Sequence, residues 1–226
     1  MRFFDQLQQA TAEHQQSLYA SPVFVAVEQG AISIDSYRHF LQQAFHHVKH
    51  TVPLLMLCGA RLPMEYEWMR QAMVEYIEEE YGHEQWILDD IEALGGDRQA
   101  VIDSAPDRNI QLMVSYLYDA IDRVHPVALL GMVFMLEGTS TRVATTMAHK
   151  IADTLSLPKQ AFSYLLSHGE LDQEHISFYE KLVNQIEDPA LQNIIIESAR
   201  ACFECYTAML NNIPGIDGEE IKHEAA

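Results

Sequence analysis

Positive charge is what this sequence has least of. It carries 14 Lys and Arg residues against 33 Asp and Glu, a formal net charge of -19 at pH 7 over 226 residues. Binding to duplex or single-stranded nucleic acid requires Lys and Arg to replace phosphate counterions, so that class is excluded as a partner. No run of basic residues and no basic amphipathic stretch is present, which leaves membrane-surface binding without support. No apolar run approaches the roughly 20 residues that span a bilayer, and the opening stretch MRFFDQLQQATAEHQQ lacks the apolar centre of a signal peptide. Cysteine is scarce too: Cys58, Cys202 and Cys205 make 3, an odd count. The pair Cys202 and Cys205 has CxxC spacing, but it lies in a helical stretch with no second pair. All three are expected to be reduced, in a cytoplasmic protein. With 10 Gly and 8 Pro there is no low-complexity segment, and strong β signals are missing.

What is present is helical periodicity from end to end. At 48% hydrophobic and 21% charged residues the composition is ordinary for a globular chain, and the length suits one domain over 1–226 with a core of its own. The spacing predicts helices at 2–19, 22–29, 34–60, 64–95, 109–123, 126–154, 158–184 and 188–211. Ser33 stands where an N-cap belongs and Gly95-Gly96 where a long helix should end. Pro126 and Pro158 fall at first-turn positions, whereas Pro53 lies inside a helical pattern and should kink it. The segment 213–226 is expected to fray. Long helices with short connections describe an all-α bundle.

Charged residues on the apolar faces carry the functional signal. In MEYEWMRQAMVEYIEEEYGHEQWILDDIEALGG the apolar stripe runs through Met69, Met73, Tyr76, Ile77, Ile87, Ile91 and Leu94. Glu80 falls at its centre with His83 beside it, while Glu79, about 100° away, is expected to be solvated. In SHGELDQEHISFYEKL, His168, Asp172, His175 and Tyr179 share one helix face. In HPVALLGMVFMLEGTSTRVATTMA a single carboxylate, Glu137, sits among Leu130, Val133, Ala144 and Ala148, and must be paired or coordinated. In FLQQAFHHVKHTVPLL, His47 and His50 lie on the stripe, as ligands, substrate contacts or satisfied core histidines, and His46 is expected to be exposed. Polar helix faces and an ion pair of Glu137 with an arginine are the ordinary alternatives. Two imidazoles and a carboxylate on one face nevertheless suit iron, manganese or zinc. Bundles build carboxylate-rich dinuclear centres from inward residues on several helices.

At these residues the chain resembles the heme-oxygenase-like di-iron oxidases and oxygenases, within the wider TenA/PqqC/heme-oxygenase-like fold. The resemblance runs from YRHFLQQAFHHVKH through YIEEEYGHEQWILDDIEALGG and FMLEGTSTR to SHGELDQEH. It implies a heme-oxygenase-like (TenA-like) multi-helix bundle holding two iron ions, with manganese as a substitute. Glu80, His83 and His168 would serve one metal, and Glu137, Asp172 and His175 the other. The Glu–His spacing varies in the family, which leaves Glu79, Glu80 and Glu84 open for the early carboxylate. Dioxygen is the implied co-substrate, with a small organic substrate, an external electron donor and a homodimer as the expected partners. Tyr76 and Tyr179, one turn from ligands, are candidates for proton or electron transfer, although aromatic packing is their ordinary role.

Two other functions fit the same fold. The first is a metal-independent hydrolase of TenA type acting on a pyrimidine-like compound. Such enzymes use an active-site cysteine, and this sequence has Glu137 about where it is expected. Glu204 could mimic their late catalytic glutamate. The second is a non-catalytic protein that binds a small metabolite.

Overall fold

The structure is a computed structural model that describes residues 1–216, and of residues 170–174 only the backbone. Among the described residues every regular element is helical. The twelve α-helices are α1 (Phe3–Ala10), α2 (Ala12–Tyr19), α3 (Pro22–Glu28), α4 (Ile34–Val48), α5 (Thr51–Arg61), α6 (Glu67–Glu80), α7 (His83–Ala93), α8 (Arg98–Asp103), α9 (Arg108–Arg123), α10 (Leu129–Leu155), α11 (Ser163–Val183) and α12 (Pro189–Asn211). Ser33 caps α4 by accepting the Ser36 N–H, and Asp97, Asp107 and Asp188 cap α8, α9 and α12 in the same way. These side chains satisfy N–H groups that a helix start leaves without partners.

Three long stretches expected as single helices are broken, each for a local reason. The 34–60 stretch stops at Val48 and resumes at Thr51. Pro53 has no N–H to offer the Lys49 carbonyl and its ring crowds that carbonyl. Restarting at Thr51 puts Pro53 in the first turn, where no intrahelical donor is required. The 64–95 stretch breaks at Tyr81-Gly82, where Gly82 takes φ 92°, a left-handed value that a side chain would resist. The 2–19 stretch breaks at Thr11, whose hydroxyl donates to the Leu7 carbonyl at 2.8 Å. Residues 213–216 also depart from expectation. Ile213 and Ile216 are buried, and Ser36 Oγ donates to the Pro214 carbonyl. The remainder of the expected frayed tail lies outside the described residues.

The centre of the bundle is α10, packed chiefly against α11 and α12. By length and composition Pro126–Leu155 is apolar enough to cross a membrane, and most of its apolar stretch is buried inside the bundle, which is what that apolarity serves. Gly131 lets α12 come into backbone contact: a Cβ there would stand 2.4 Å from Ala199 N and 2.8 Å from the Ile195 carbonyl oxygen. Ser198 Oγ, next to that contact, donates to the Ala128 carbonyl at 2.6 Å, and Tyr179 of α11 donates to the Leu130 carbonyl at 2.8 Å. Both neighbours are therefore tied to the first turns of α10, close to where Glu137 follows.

Because the obstruction at Gly131 is backbone, Gly131→Ala cannot be absorbed by a rotamer change. It should cost about 1–3 kcal/mol, the usual range for overpacking, measured by urea denaturation. An unchanged midpoint would mean that α12 moves away freely.

Candidate metal centre

Glu80 is the last residue of α6 and His83 the first of α7, so the break at Gly82 decides their relation. The turn folds one back on the other: His83 Nδ1 lies 3.0 Å from Glu80 Oε2. His168 of α11 completes a trio, with one ligand atom from each residue and all three within 4.8 Å of one another. Atoms bonded to one ion at about 2.1 Å lie up to about 4.2 Å apart, so small side-chain movements would close the trio around a metal. His168 Nδ1 donates to the Tyr164 carbonyl at 3.0 Å. That bond fixes the tautomer and leaves Nε2 with a lone pair, as metal-binding histidines are usually held. The rings are wedged in place by aromatic neighbours. Trp86 stacks on His83 at 3.9 Å between centroids, and the Tyr164 ring lies 4.7 Å from His168.

A second group adjoins the first. His175 Nδ1 is 3.9 Å from Glu137 Oε1 and 4.0 Å from Glu80 Oε1, while its Nε2 stands 3.0 Å from Glu79 Oε2. Glu79 was expected in solvent. It is 52% exposed, yet its carboxylate reaches back to the histidine. Angular arithmetic assigns a residue to a face but not to the reach of its side chain; the family resemblance alone had kept Glu79 open as a ligand. The expected ligand Asp172 lies on the same helix as His168 and His175, but its side chain is outside the described residues.

These groups are nearly out of water: side-chain exposure is 5% for His83, 11% for Glu80, 6% for His175 and 9% for Glu137. Burial by itself would push the Glu80 carboxyl up. The hydrogen bond from His83 and the nearby imidazoles of His168 and His175 more than offset it, so the carboxyl is held below its ordinary range. Tyr76 moves the other way. Burial and the carboxylates of Glu137, Glu80 and Glu79 hold its phenol well above 10, hence protonated, and its hydroxyl has no hydrogen-bond partner among the described residues.

The centre forms one end of a cavity of about 140 Å³. Glu80, Glu137, His168, Tyr76 and His47 reach its wall, and most of the rest is apolar, from Val23, Phe24 and Val27 of α3 to Met132, Val133, Leu136, Met147 and Ile151 of α10. The other candidates fall elsewhere. Tyr179 packs its ring on Phe4 and Phe134 and uses its hydroxyl on α10, away from the wall. His50 is turned toward α9, with Nδ1 3.1 Å from the Tyr118 hydroxyl. His46 is buried rather than exposed, 2.8 Å from Ser104 Oγ. The loop carrying Ser104 covers that face, a tertiary contact the periodicity could not reveal. Glu84 sits in the first turn of α7 and accepts from the Gln85 side chain. None of the three cysteines lines the cavity. Cys58 donates to the Pro126 carbonyl, and burial pushes its thiol up to about 12.

Asp90, which the sequence reading passed over, sets the position of His168. Completely buried on α7, it accepts the Ser163 and Tyr164 N–H groups at 2.7 and 2.9 Å, capping α11 from another helix. Burial raises this carboxyl from 3.8 to about 6 against the pull of those two donors. The folded carboxyl thus keeps its proton to higher pH than the unfolded one, and the group withdraws stability as pH rises from 3.8 to about 6. The stability advantage of the native chain over Asp90→Asn should therefore shrink across that window in urea titrations. An advantage that grows with pH would show that the two N–H donors dominate. Asp90→Ala leaves both donors buried and should cost about 1–3 kcal/mol.

Comparisons with known proteins bear on the family and the fold. A family model described as "Iron-containing redox enzyme" matches residues 38–207. No curated protein matches the chain. Among solved structures, a heme oxygenase-like-fold domain of unknown function from Shewanella denitrificans superposes with a TM-score of 0.81 at 20% identity, covering 100% of this chain and 94% of that one. A TenA homologue from Pseudomonas syringae gives 0.77 at 11% identity, with 93% and 92% covered. A heme oxygenase from the cyanobacterium Synechocystis, solved in complex with heme, gives 0.74 at 12% identity, with 100% and 96% covered. At these identities the likeness establishes the fold, an all-helical heme-oxygenase-like bundle.

Proposed function

This chain belongs to the family of iron-containing redox enzymes, and we propose that it is a non-heme di-iron oxidoreductase that uses dioxygen to oxidise a small organic substrate. The observation that carries the reading is the trio Glu80, His83 and His168. Two imidazoles and one carboxylate with open positions are the donor set of non-heme iron oxygenases. Glu137 and His175, with Asp172 on the same helix and Glu79 at the rim, would hold the second ion. Manganese suits the same donors. When bound, the metal supplies reducing electrons and an open position at which dioxygen is activated.

The chain's own residues do the rest. His168 is oriented by the Tyr164 carbonyl, and Trp86 fixes the plane of His83. The apolar wall excludes water and holds the substrate against the centre. Tyr76 Oη, protonated and unpartnered at that wall, is the group placed to give a proton to the reacting site. Electrons beyond those of the substrate come from an external donor.

The alternatives find less support. A TenA-type hydrolase would need a thiol at the cavity, where Glu137 stands instead, and Glu204 is on the surface against His14. A porphyrin exceeds the space available: an apolar cavity of about 150 Å³ takes up benzene.

Anaerobic loading with ferrous iron followed by metal analysis should give two irons per chain and a raised melting temperature, since a ligand that binds only the folded state stabilises it. His168→Ala should lose both effects, and oxygen uptake with them. A single iron that still requires His83 and His168 would reduce the centre to a mononuclear one. Iron binding unaffected by His168→Ala, or none at all, would remove the reading.

A further inference from the structure

His47 is the side chain that the proposed centre does not use. It lies on α4 and is 3% exposed, and neither ring nitrogen has a hydrogen-bond partner among the described residues. The ring faces the cavity, flanked by the Tyr206 ring edge-on at 5.6 Å. A buried polar group left unsatisfied costs about 1–3 kcal/mol, and binding sites are where such a cost is recovered. Accepting this cavity as the substrate chamber of the proposed enzyme, we propose that His47 is its polar anchor. It pairs with a hydrogen-bonding group, such as a hydroxyl or carbonyl, on an otherwise apolar substrate.

The wall argues for a largely apolar substrate: it follows α10 from Met132 to Ile151, about 28 Å of helix at 1.5 Å per residue, and most of its side chains there are apolar. It contains no Lys or Arg among the described residues, so an anionic group of the substrate would be met at the proposed metal centre and not at His47. His47 itself supplies no positive charge. Burial, with His168, His50 and His46 nearby, lowers it to about 3, so it offers one N–H donor and one lone pair. That pair matches a hydroxyl, or a carbonyl with an adjacent N–H.

Met132 and Met147 line different stretches of the wall, so protein labelled with [methyl-13C]methionine reports occupancy without metal. Titration with 1-octanol should shift both methyl signals saturably. His47→Phe should lower the affinity for 1-octanol about tenfold while leaving benzene binding unchanged. His47→Gln, which keeps a donor and an acceptor, should restore octanol binding to within about threefold. Iron content on loading should be the same in His47→Phe as in the native chain. Three results would overturn the proposal: no saturable shift with 1-octanol, His47→Phe affecting octanol and benzene alike, or loss of iron in that variant. Should His47→Phe fail to fold, His47→Leu compared with His47→Gln for octanol binding still decides the matter. The titration is metal-free, so its failure is separable from failure of the iron centre, which metal analysis reads directly.

Discussion

Two carboxylates almost out of water, Glu80 and Glu137, set the terms for everything around them. An ionised carboxylate in an apolar bundle needs a positive partner or it takes up a proton. Among the described residues the cavity wall offers neither Lys nor Arg, and the partners near these acids are the imidazoles of His83, His168 and His175. Imidazole is a weak counter-ion at neutral pH, since it is largely uncharged there. It is a good ligand for the same reason. The cluster is thus a poor ion-pair network and a good cage for a divalent cation, whose charge would offset both acids together. The same logic accounts for Tyr76: a phenol buried among carboxylates holds its proton and so can donate a hydrogen bond.

Holding those groups together is a backbone problem before it is a chemical one. Glu137 comes from α10 and His168 and His175 from α11, so the register of those two helices fixes half of the centre. Tyr179 hydrogen-bonded to the Leu130 carbonyl, Ser198 to that of Ala128, and the bare Gly131 facing α12 lock that register. Asp90 adds the contribution of α7: by capping α11 it ties the start of the His168 helix to the helix that begins with His83. One carboxylate therefore couples the two histidines of the trio across separate elements.

The difference between what could be read from the sequence and what could not follows from this division. Periodicity is a property of one continuous helix. It located Glu137 on α10 and aligned His168 with His175 on α11, where the helix runs unbroken. For Glu80 and His83 the same arithmetic was applied across Gly82, where the helix ends and restarts, and the two residues meet through the turn rather than by sharing a face. Trp86, Asp90 and the His46–Ser104 contact were out of reach because each depends on how separate helices or a covering loop come together, and Glu79 was kept open by the resemblance and not by the periodicity. Pro53 was expected to kink its helix, whereas Gly82 was read as lying within one. Even for the proline the exact effect was not legible, since Pro53 moves the break four residues upstream to the carbonyl it would have faced.

The family match takes in the proposed donors and most of the chamber wall beside them. Residues 38–207 include every candidate ligand, Tyr76, Asp90 and His47. They leave out α3, whose Val23, Phe24 and Val27 close part of the apolar wall, together with Leu210. A centre whose donors are supplied by α6, α7, α10 and α11 can stay constant while α3 and the end of α12 change the length and bore of the chamber. Chemistry then depends on pairing buried charge, which tolerates little change, and the choice of substrate on apolar packing, which tolerates much more. His47 stands between these regimes, inside the matched span yet unused by the metal donors, which is where a residue that reads the substrate's polar group belongs.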